Sequence, residues 1–443
     1  MPGLWAPGLD KFRSLLKLEL TQMYEEGFDV EEFLKNLRLI DEMGLNELNE
    51  LYRKLKHTPV RRGYPYTEPS DLDDIRGLRP RGPRRLALGY PREMLKDRVA
   101  GAWFGRCIGC LIGKPVEGFD RELIQRYLKA AGEYPPGGYL PALDKAVEGL
   151  PSDFSESRRG MLRGSIECMP RDDDIDYTIL NLHVLETHGF DFTTEDVGLE
   201  WLSHLPYKAT YTAERAAYRN LVLGLKPPET AVYMNPYREW IGAQIRADLW
   251  GYVAPGLVEY AASMAYRDAV LSHVKNGVYG EMFIAATVSA AFVVDDVEEA
   301  LKIGLTEIPR SSRLAEVVEN TMKWSKADGC WGETWERVME AYGRYHRVHV
   351  LNNAAIVVLS LMHGGGDFMK SVGISVMCGL DTDCNCATVG SILGALKGLK
   401  NIPDRLVKPL NDRVRSMVAG FDSSSITELA FRTLKLALKR LSA

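Results

Sequence analysis

The sequence lacks any apolar run long enough to cross a membrane. Its most apolar stretch, residues 99–113, contains Arg106 and spans only about fifteen residues, short of the roughly twenty that a spanning helix needs. Residues 1–30 lack the charged start, apolar core and small-residue cleavage site of a secretion signal. We therefore expect a cytoplasmic protein without a membrane partner.

The sequence also lacks a charge excess and a cysteine framework. The chain has 55 Lys and Arg residues against 60 Asp and Glu residues, a formal net charge of -5, so no overall basic character indicates a nucleic-acid partner. Seven cysteines are spread over 443 residues, which does not suit a disulfide-rich fold. With 46% hydrophobic and 26% charged residues, the composition is that of a globular protein.

The apolar periodicity is helical along most of the chain, and strand signals are few and short. Residues 8–56 are predicted to be helical, whereas residues 58–91 are rich in Pro, Gly and Arg and indicate a linker or a surface loop. We predict an all-α protein in two parts, an N-terminal helical appendage with its linker at 1–97 and a compact multi-helix domain at 98–443. One helix of the second part is predicted at 403–416.

Two acidic clusters each open an apolar helical segment. Residues 172–174 are three consecutive aspartates, and residues 381–383 are Asp-Thr-Asp. One Asp at the start of a helix can cap it and favour its positive end, and that interpretation of either cluster stays open. It does not account for the extra aspartates, which repel by roughly 4 kcal/mol at about 4 Å and an effective dielectric constant of about 20. We therefore favour a shared site for a hard cation such as Mg²⁺, Mn²⁺ or Ca²⁺.

A stripe of glycines precedes the first cluster. The stripe recurs every four residues and consists of Gly101, Gly105, Gly109 and Gly113. Because each glycine inside a helix costs about 1 kcal/mol relative to alanine, the stripe predicts a very close contact with another helix. Glu117 follows on the turn beyond this helix, a position where a glutamate is commonly just solvated.

These motifs together resemble those of a known family. The segment 101–117, the aspartates at 172–174 and the Gly-Leu-Asp-Thr-Asp segment at 379–383 occur in the order seen in the ADP-ribosylglycohydrolase family, which includes the dinitrogenase-reductase-activating glycohydrolases and the J1 crystallins. The resemblance covers roughly residues 94–441. It implies an all-α fold with a metal cleft, for which we expect one or two Mg²⁺ ions or, alternatively, Mn²⁺.

The resemblance also implies roles for individual residues. Glu117 resembles the acidic residue near the substrate or its attacking water, and either Glu117 or Asp383 is expected to accept the proton. The implied metal ligands are Asp172, Asp173, Asp174, Asp381, Asp383 and Cys384. The implied substrate-binding residues are Gly242, Gln244, Arg246 and His273.

The sequence departs from the family pattern at several positions. Asp172 and Cys384 stand where metal-binding threonines are usual, and Ile175 replaces another threonine. Cys110 replaces an aspartate in the glycine helix, and Ile241 replaces an asparagine beside the segment that cradles the distal ribose. A thiol in place of a hydroxyl admits a softer ion.

The predicted function is that of a divalent-metal-dependent glycosidase. It would cleave an N- or O-glycosidic bond at the anomeric carbon of a ribosyl or ADP-ribosyl conjugate, through an oxocarbenium-like transition state. The expected partner is a small-molecule ribosyl conjugate or an ADP-ribosylated substrate. Two alternatives stay open, a metal-dependent hydrolase of another sugar conjugate and a non-catalytic, crystallin-like or ligand-binding protein that retains the fold.

Overall fold

Helices form nearly all the regular structure of this chain, which the computed structural model describes over residues 8–442. Residues 1–7 and residue 443, which belong to the two predicted parts, lie outside the described residues. Within 8–442 the strands form one antiparallel pair, β1 (Arg413–Val414) and β2 (Ser424–Ser425). The all-α prediction is confirmed. No helix in this range is both long and apolar enough to span a membrane.

The helices follow one another in short steps. Those before residue 92 are α1 (Leu9–Glu25), α2 (Glu31–Lys35), α3 (Leu37–Glu42), α4 (Leu45–Leu55) and α5 (Leu72–Leu78). The next are α6 (Arg92–Gly113), α7 (Arg121–Ala130), α8 (Phe154–Ser157), α9 (Asp173–His188), α10 (Thr194–His204), α11 (Thr212–Val222) and α12 (Glu229–Val232). The last are α13 (Asp248–Tyr252), α14 (Val258–Ala269), α15 (Lys275–Ala291), α16 (Val297–Leu305), α17 (Arg313–Ala327), α18 (Trp331–Tyr342), α19 (Val350–Gly364), α20 (Phe368–Cys378), α21 (Thr382–Lys397), α22 (Asp404–Val407) and α23 (Ile426–Leu441). Short 3₁₀ turns lie at Lys114–Val116, Tyr207–Ala209, Gln244–Arg246, Leu399–Asn401 and Lys408–Leu410.

The core lies around α15 and α21. Residues 276–291 of α15 and 382–396 of α21 are buried without interruption. A helix that is buried on all sides needs other elements packed against each of its faces. Accordingly, α14 and α16 pack on α15, while α6 and α20 pack on α21.

The glycine stripe of α6 lies directly against α21. A Cβ atom on Gly105 would lie 2.2 Å from the carbonyl oxygen of Gly390, and one on Gly113 would lie 2.1 Å from that of Thr382. The contact is reciprocal, because a Cβ atom on Gly390 would lie 2.1 Å from the carbonyl oxygen of Gly105. The predicted close helix–helix contact is confirmed. It holds the start of α21, which carries the second acidic cluster, beside the end of α6.

The predicted helix at 403–416 is wrong. Only α22 and a 3₁₀ turn form there, and strand β1 follows. Asn411 and Asp412 have φ angles of 47° and 52°, in the left-handed region where a right-handed helix cannot continue. Pro409 also lacks the amide hydrogen that a helix interior requires.

The N-terminal helices pack on the rest of the chain through apolar contacts and buried ion pairs. Their apolar cluster includes Met234 from the second part. Arg238 pairs with Glu19 at 2.8 Å and with Glu26 at 2.6 Å. Helix α6 begins at Arg92, a few residues before the predicted boundary at 97/98, and that boundary stays a prediction.

The segment at 58–91 is irregular apart from α5 and lies on the second part. Arg79 and Arg84 of its Arg-rich run both pair with the buried Glu307, at 2.5 Å and 2.8 Å. Because Glu307 is buried, these two arginines hold the segment in place as a docked loop.

Candidate active site

The first acidic cluster begins α9. Asp172 is the N-cap residue, and its Oδ1 accepts a hydrogen bond from the backbone N–H of Asp174 at 3.0 Å. Asp172 and Asp174 are buried, whereas Asp173 is half-buried. The capping interpretation is therefore confirmed for Asp172, while Asp174 projects from the first turn of the helix.

The second acidic cluster begins α21, next to the end of α6. Asp381 precedes the helix and Asp383 lies in its first turn, and both are buried. Thr382 Oγ1 donates a hydrogen bond to the carbonyl oxygen of Gly113 at 2.9 Å. The glycine contact and this hydrogen bond together fix where the two aspartates lie relative to α6.

The two acidic clusters meet at Asp383. Carboxylate oxygens of Asp174 and Asp383 lie within 4.8 Å of each other and of the Sγ atom of Cys384. Oxygens of Glu117, Asp381 and Asp383 form a second group within the same distance. Since Asp383 belongs to both groups, the groups adjoin and offer two neighbouring positions for a cation.

Asp172 and Asp173, two of the predicted ligands, lie outside both groups of the described residues. Lys114 forms an ion pair with Asp172 from the end of α6. Burial alone would raise the pKa of Asp172, but the Lys114 ammonium and the backbone N–H of Asp174 lower it below its usual range. Burial, and then the charge of Asp172, raise the pKa of Asp173 well above its usual range. A ligand role for either residue stays a prediction.

Asp383 is the residue of the cleft best suited to a cation. Its Oδ1 atom is buried without a hydrogen-bond partner. Burial, followed by the charges of Asp381 and Asp172, raises the pKa of Asp383 well above its usual range. A buried carboxylate in such surroundings takes up a proton or a cation. The oxygen donors of Glu117, Asp381 and Asp383 fit a hard divalent ion.

Cys384 gives the other group a sulfur donor. Its Sγ donates a hydrogen bond to Asp174 Oδ2 at 3.1 Å. Burial and the charge of Asp174 raise the pKa of Cys384 well above its usual range, so the group is a neutral thiol. Because a neutral thiol is a poor ligand for a hard ion, the group with Cys384 fits Mg²⁺ less well than the all-oxygen group does.

Arg106 holds Asp174 from inside the molecule. This arginine of α6 is fully buried, and its guanidinium lies 3.2 Å from Asp174 Oδ1 and 2.6 Å from Asp248 Oδ2. It also donates to Thr178 Oγ1 at 2.8 Å. No role in the site was predicted for Arg106, although a lone charge within an apolar helix is a signal that the sequence offers.

Glu117 stands at the rim of the cleft on the turn after α6. The residue as a whole is exposed, but its carboxylate faces Asp381 and Asp383. Partial desolvation, and then the charge of Asp381, raise the pKa of Glu117. Arg347 donates to the carbonyl oxygens of Gly118 at 2.7 Å and Leu380 at 3.2 Å. Arg347 thus joins the turns that carry Glu117 and Asp381, and the sequence gave no signal for that contact.

The four predicted substrate-binding residues are buried. They are Gly242, Gln244, Arg246 and His273. Arg246 pairs with Glu214 at 2.7 Å and with Asp268 at 3.0 Å, and His273 Nδ1 lies 2.8 Å from Ser272 Oγ. These contacts give Arg246 and His273 a structural role in the interior of the protein. Their contact with a substrate stays a prediction.

A model of one known protein family matches most of the chain. The family model described as ADP-ribosylglycohydrolase matches residues 91–439. A solved structure titled "ADP-ribosylglycohydrolase-related protein complex" is 20% identical, with a match that covers 79% of this chain and 100% of that chain at a TM-score of 0.44. None of the curated proteins compared with the chain matches it.

Proposed function

Because the chain belongs to the ADP-ribosylglycohydrolase family, we propose that it is a divalent-metal-dependent hydrolase of ribosyl or ADP-ribosyl conjugates. The bond cleaved is the N- or O-glycosidic bond at the anomeric carbon of the ribose. The observation that supports this most is the position of Asp383 in two adjoining groups of ligand atoms, with a buried oxygen that has no hydrogen bond.

The proposed ligands are those that the geometry groups together. Asp381 and Asp383 supply the oxygen ligands of the first group, at whose exposed rim Glu117 lies, and Asp174 with Cys384 adds the second group. We propose Mg²⁺ as the ion, in one or two positions, with Mn²⁺ as the alternative. When bound, such an ion supplies a Lewis acid that orients the ribose hydroxyls and stabilises negative charge.

Glu117 is the proposed general base. Its carboxylate is at the exposed rim, where a water and a substrate can both reach it, whereas Asp383 is only 4% exposed. The raised pKa of Glu117 also brings the group closer to the value at which a carboxylate accepts a proton efficiently near neutral pH. Asp383 is the second candidate for this role.

The test is the release of free ribose or ADP-ribose from a panel of nucleosides, NAD derivatives and ADP-ribosylated peptides. We expect turnover with Mg²⁺ or Mn²⁺, none with EDTA, and a loss of about 10²–10⁴-fold in kcat in Glu117→Gln, the usual contribution of a general base. Glu122→Gln, an exposed glutamate on the neighbouring helix α7, is the matched control and should retain full activity.

Two results would contradict the proposal. Full activity of Glu117→Gln on the best substrate removes Glu117 as the base. Absence of turnover on every substrate, together with no stabilisation by any divalent ion, favours the non-catalytic alternative.

A second candidate function is hydrolysis of another sugar conjugate that lacks the distal ribose. The burial of Arg246 and His273 and their use in internal contacts favour it, because a whole ADP-ribose needs contacts beyond the reacting ribose. Turnover of conjugates of another sugar, with none of the ribosyl or ADP-ribosyl substrates, would support this candidate over the first.

A further inference from the structure

A second cluster of metal-binding side chains lies on α9 and α10. His183 comes from α9, and Glu200 and His204 lie one turn apart on α10. Two imidazole nitrogens and one carboxylate oxygen of these residues lie within 4.8 Å of one another. His183 follows Asp174 by nine residues, about 13 Å along the helix at 1.5 Å per residue, so this cluster is separate from the acidic cleft.

Glu200 is the centre of the cluster. It is 5% exposed, and its Oε2 lies 2.7 Å from His204 Nδ1 and 3.2 Å from His183 Nε2. Glu200 Oε2 and His204 Nδ1 are both buried, and although they lie at ion-pair distance neither makes a hydrogen bond of acceptable angle. Buried polar atoms that face one another without a hydrogen bond require another explanation, and an ion shared between them is one.

The second oxygen of Glu200 already has a partner. His188 Nε2 lies 2.8 Å from Glu200 Oε1, and His188 Nδ1 lies 3.4 Å from Asp196 Oδ1. Carboxylates that bind a metal are commonly held by such a neighbour through their other oxygen. His188 therefore orients Glu200 so that Oε2 faces the two remaining histidines.

The spacing and the donor types suit one kind of ion. Ligand atoms around a tetrahedral Zn²⁺ are about 3.4 Å apart when the bonds are about 2.0–2.2 Å. The separation of 3.2 Å between Glu200 and His183 is close to this distance, and the separation of 2.7 Å between Glu200 and His204 would lengthen when the ion binds. Two imidazoles and a carboxylate favour Zn²⁺ over Mg²⁺. The side chains of His183 and His204 are 21% and 27% exposed, which leaves room for a water as the fourth ligand.

We propose that His183, Glu200 and His204 form a Zn²⁺ site that is distinct from the acidic cleft and joins α9 to α10. Because α9 also carries Asp174 in its first turn, the ion would stabilise the helix on which part of the cleft is built. The site is structural and takes no part in the proposed hydrolysis.

Zinc binding to the full-length Asp383→Asn protein tests this, because that substitution removes the carboxylate shared by both groups in the cleft. We expect one Zn²⁺ per chain, with a Kd that rises at least tenfold in Asp383→Asn/His204→Gln and in Asp383→Asn/His183→Gln. Asp383→Asn/His57→Gln is the matched control, since His57 is exposed and lies outside the cluster. Co²⁺ in the Asp383→Asn protein should give the visible absorption of a four-coordinate ion.

X-ray absorption at the zinc edge decides the question without further variants. The Asp383→Asn protein should show two imidazoles and carboxylate or water oxygens at about 2.0–2.2 Å. A shell with sulfur or without imidazole would overturn the proposal, as would an unchanged Kd in the folded His→Gln variants. An absence of zinc binding would identify the cluster as an ion-pair network only. Because the zinc site takes no part in the hydrolysis, none of these outcomes decides whether the wild-type protein is a glycosidase.

Discussion

Single residues determine how much negative charge the cleft holds. Arg106 pairs with Asp174 and Lys114 pairs with Asp172, so two of the carboxylates already have cationic partners. Among the described residues, Asp381 and Asp383 form no such ion pair. The charge that remains for a divalent cation is therefore concentrated at the start of α21.

Removing the Arg106 guanidinium should destabilise the protein strongly. Arg106→Met would leave Asp174 and Asp248 as buried charges without a partner, which costs about 3–5 kcal/mol. Arg432→Met is the control, because Arg432 pairs with Glu186 where both side chains are 28% exposed, and such pairs contribute about 1 kcal/mol or less. Chemical denaturation measures the loss in the free energy of unfolding for each of the two variants. Equal losses in the two variants would contradict the role given to Arg106.

Replacing the Cys384 thiol by a hydroxyl should improve Mg²⁺ binding. Cys384→Thr would offer a hard oxygen donor beside Asp174 and Asp383, and we expect the Mg²⁺ Kd to fall about tenfold, or about 1.4 kcal/mol. The measurement is the shift in Tm against Mg²⁺ concentration. Cys386→Ser is the control, since Cys386 is buried on the same helix but its Sγ contacts the carbonyl oxygen of Val372. A Kd unchanged in Cys384→Thr would remove this residue from the metal site.

At the scale of whole elements, the contact between α6 and α21 places the cleft. The backbones of the two helices touch where glycines face each other, so neither helix can slide or rotate without a clash. Asp383 lies in the first turn of α21 and Lys114 at the end of α6. The register of this helix pair therefore sets the distance between the groups of the cleft.

An added methyl group in this contact should separate the helices. A Cβ atom on Gly109 would lie 2.0 Å from the carbonyl oxygen of Cys386, and overpacking of this kind costs about 1–3 kcal/mol. We expect Gly109→Ala to lower the free energy of unfolding, measured by urea denaturation, by that amount and to weaken metal-induced stabilisation. Gly77→Ala in α5 is the control, because a Cβ atom there meets nothing within 4 Å, and it should leave stability equal or slightly higher.

Local sequence patterns predicted most of the helices. Where the structure departs from the prediction, the cause is a contact between residues that are far apart in the sequence. The spacing of the glycines was enough to predict a close helix contact, and the aspartate runs were enough to predict charged helix starts. Asp412 turns the chain because its carboxylate accepts hydrogen bonds from Ser425 Oγ at 2.6 Å and from the Thr427 backbone N–H at 2.8 Å. Arg347 joins two turns through backbone carbonyls, and no residue pattern encodes such a contact.

At the scale of the whole molecule, the N-terminal part completes a buried ion cluster of the second part. Glu239 is fully buried and pairs with Arg313 at 2.8 Å. Gln22 of α1 donates to Glu239 at 2.8 Å, and Glu68 of the docked segment pairs with Arg313 at 2.8 Å. Removing the N-terminal part would leave the charges of Glu239 and Arg313 partly unsatisfied. We therefore expect the N-terminal part and the second part to unfold together.

The same interface should make stability depend on pH through Glu25 of α1. Burial, and then the charge of Glu239, raise the pKa of Glu25 to about 8 from an ordinary value of 4.5. At a pH between these two pKa values, the folded protein binds a proton at Glu25 that the unfolded chain releases. The free energy of unfolding must therefore fall as the pH rises. Glu25→Gln should remove this loss of stability. Its free energy of unfolding should exceed that of the wild type by on the order of 1–2 kcal/mol at pH 8, with little difference near pH 4.5. Urea denaturation at several pH values measures the slope, with the exposed Glu32→Gln on α2 as the control. Parallel slopes in wild type and Glu25→Gln would show that Glu25 keeps its ordinary ionisation and that the interface is more hydrated than its contacts imply.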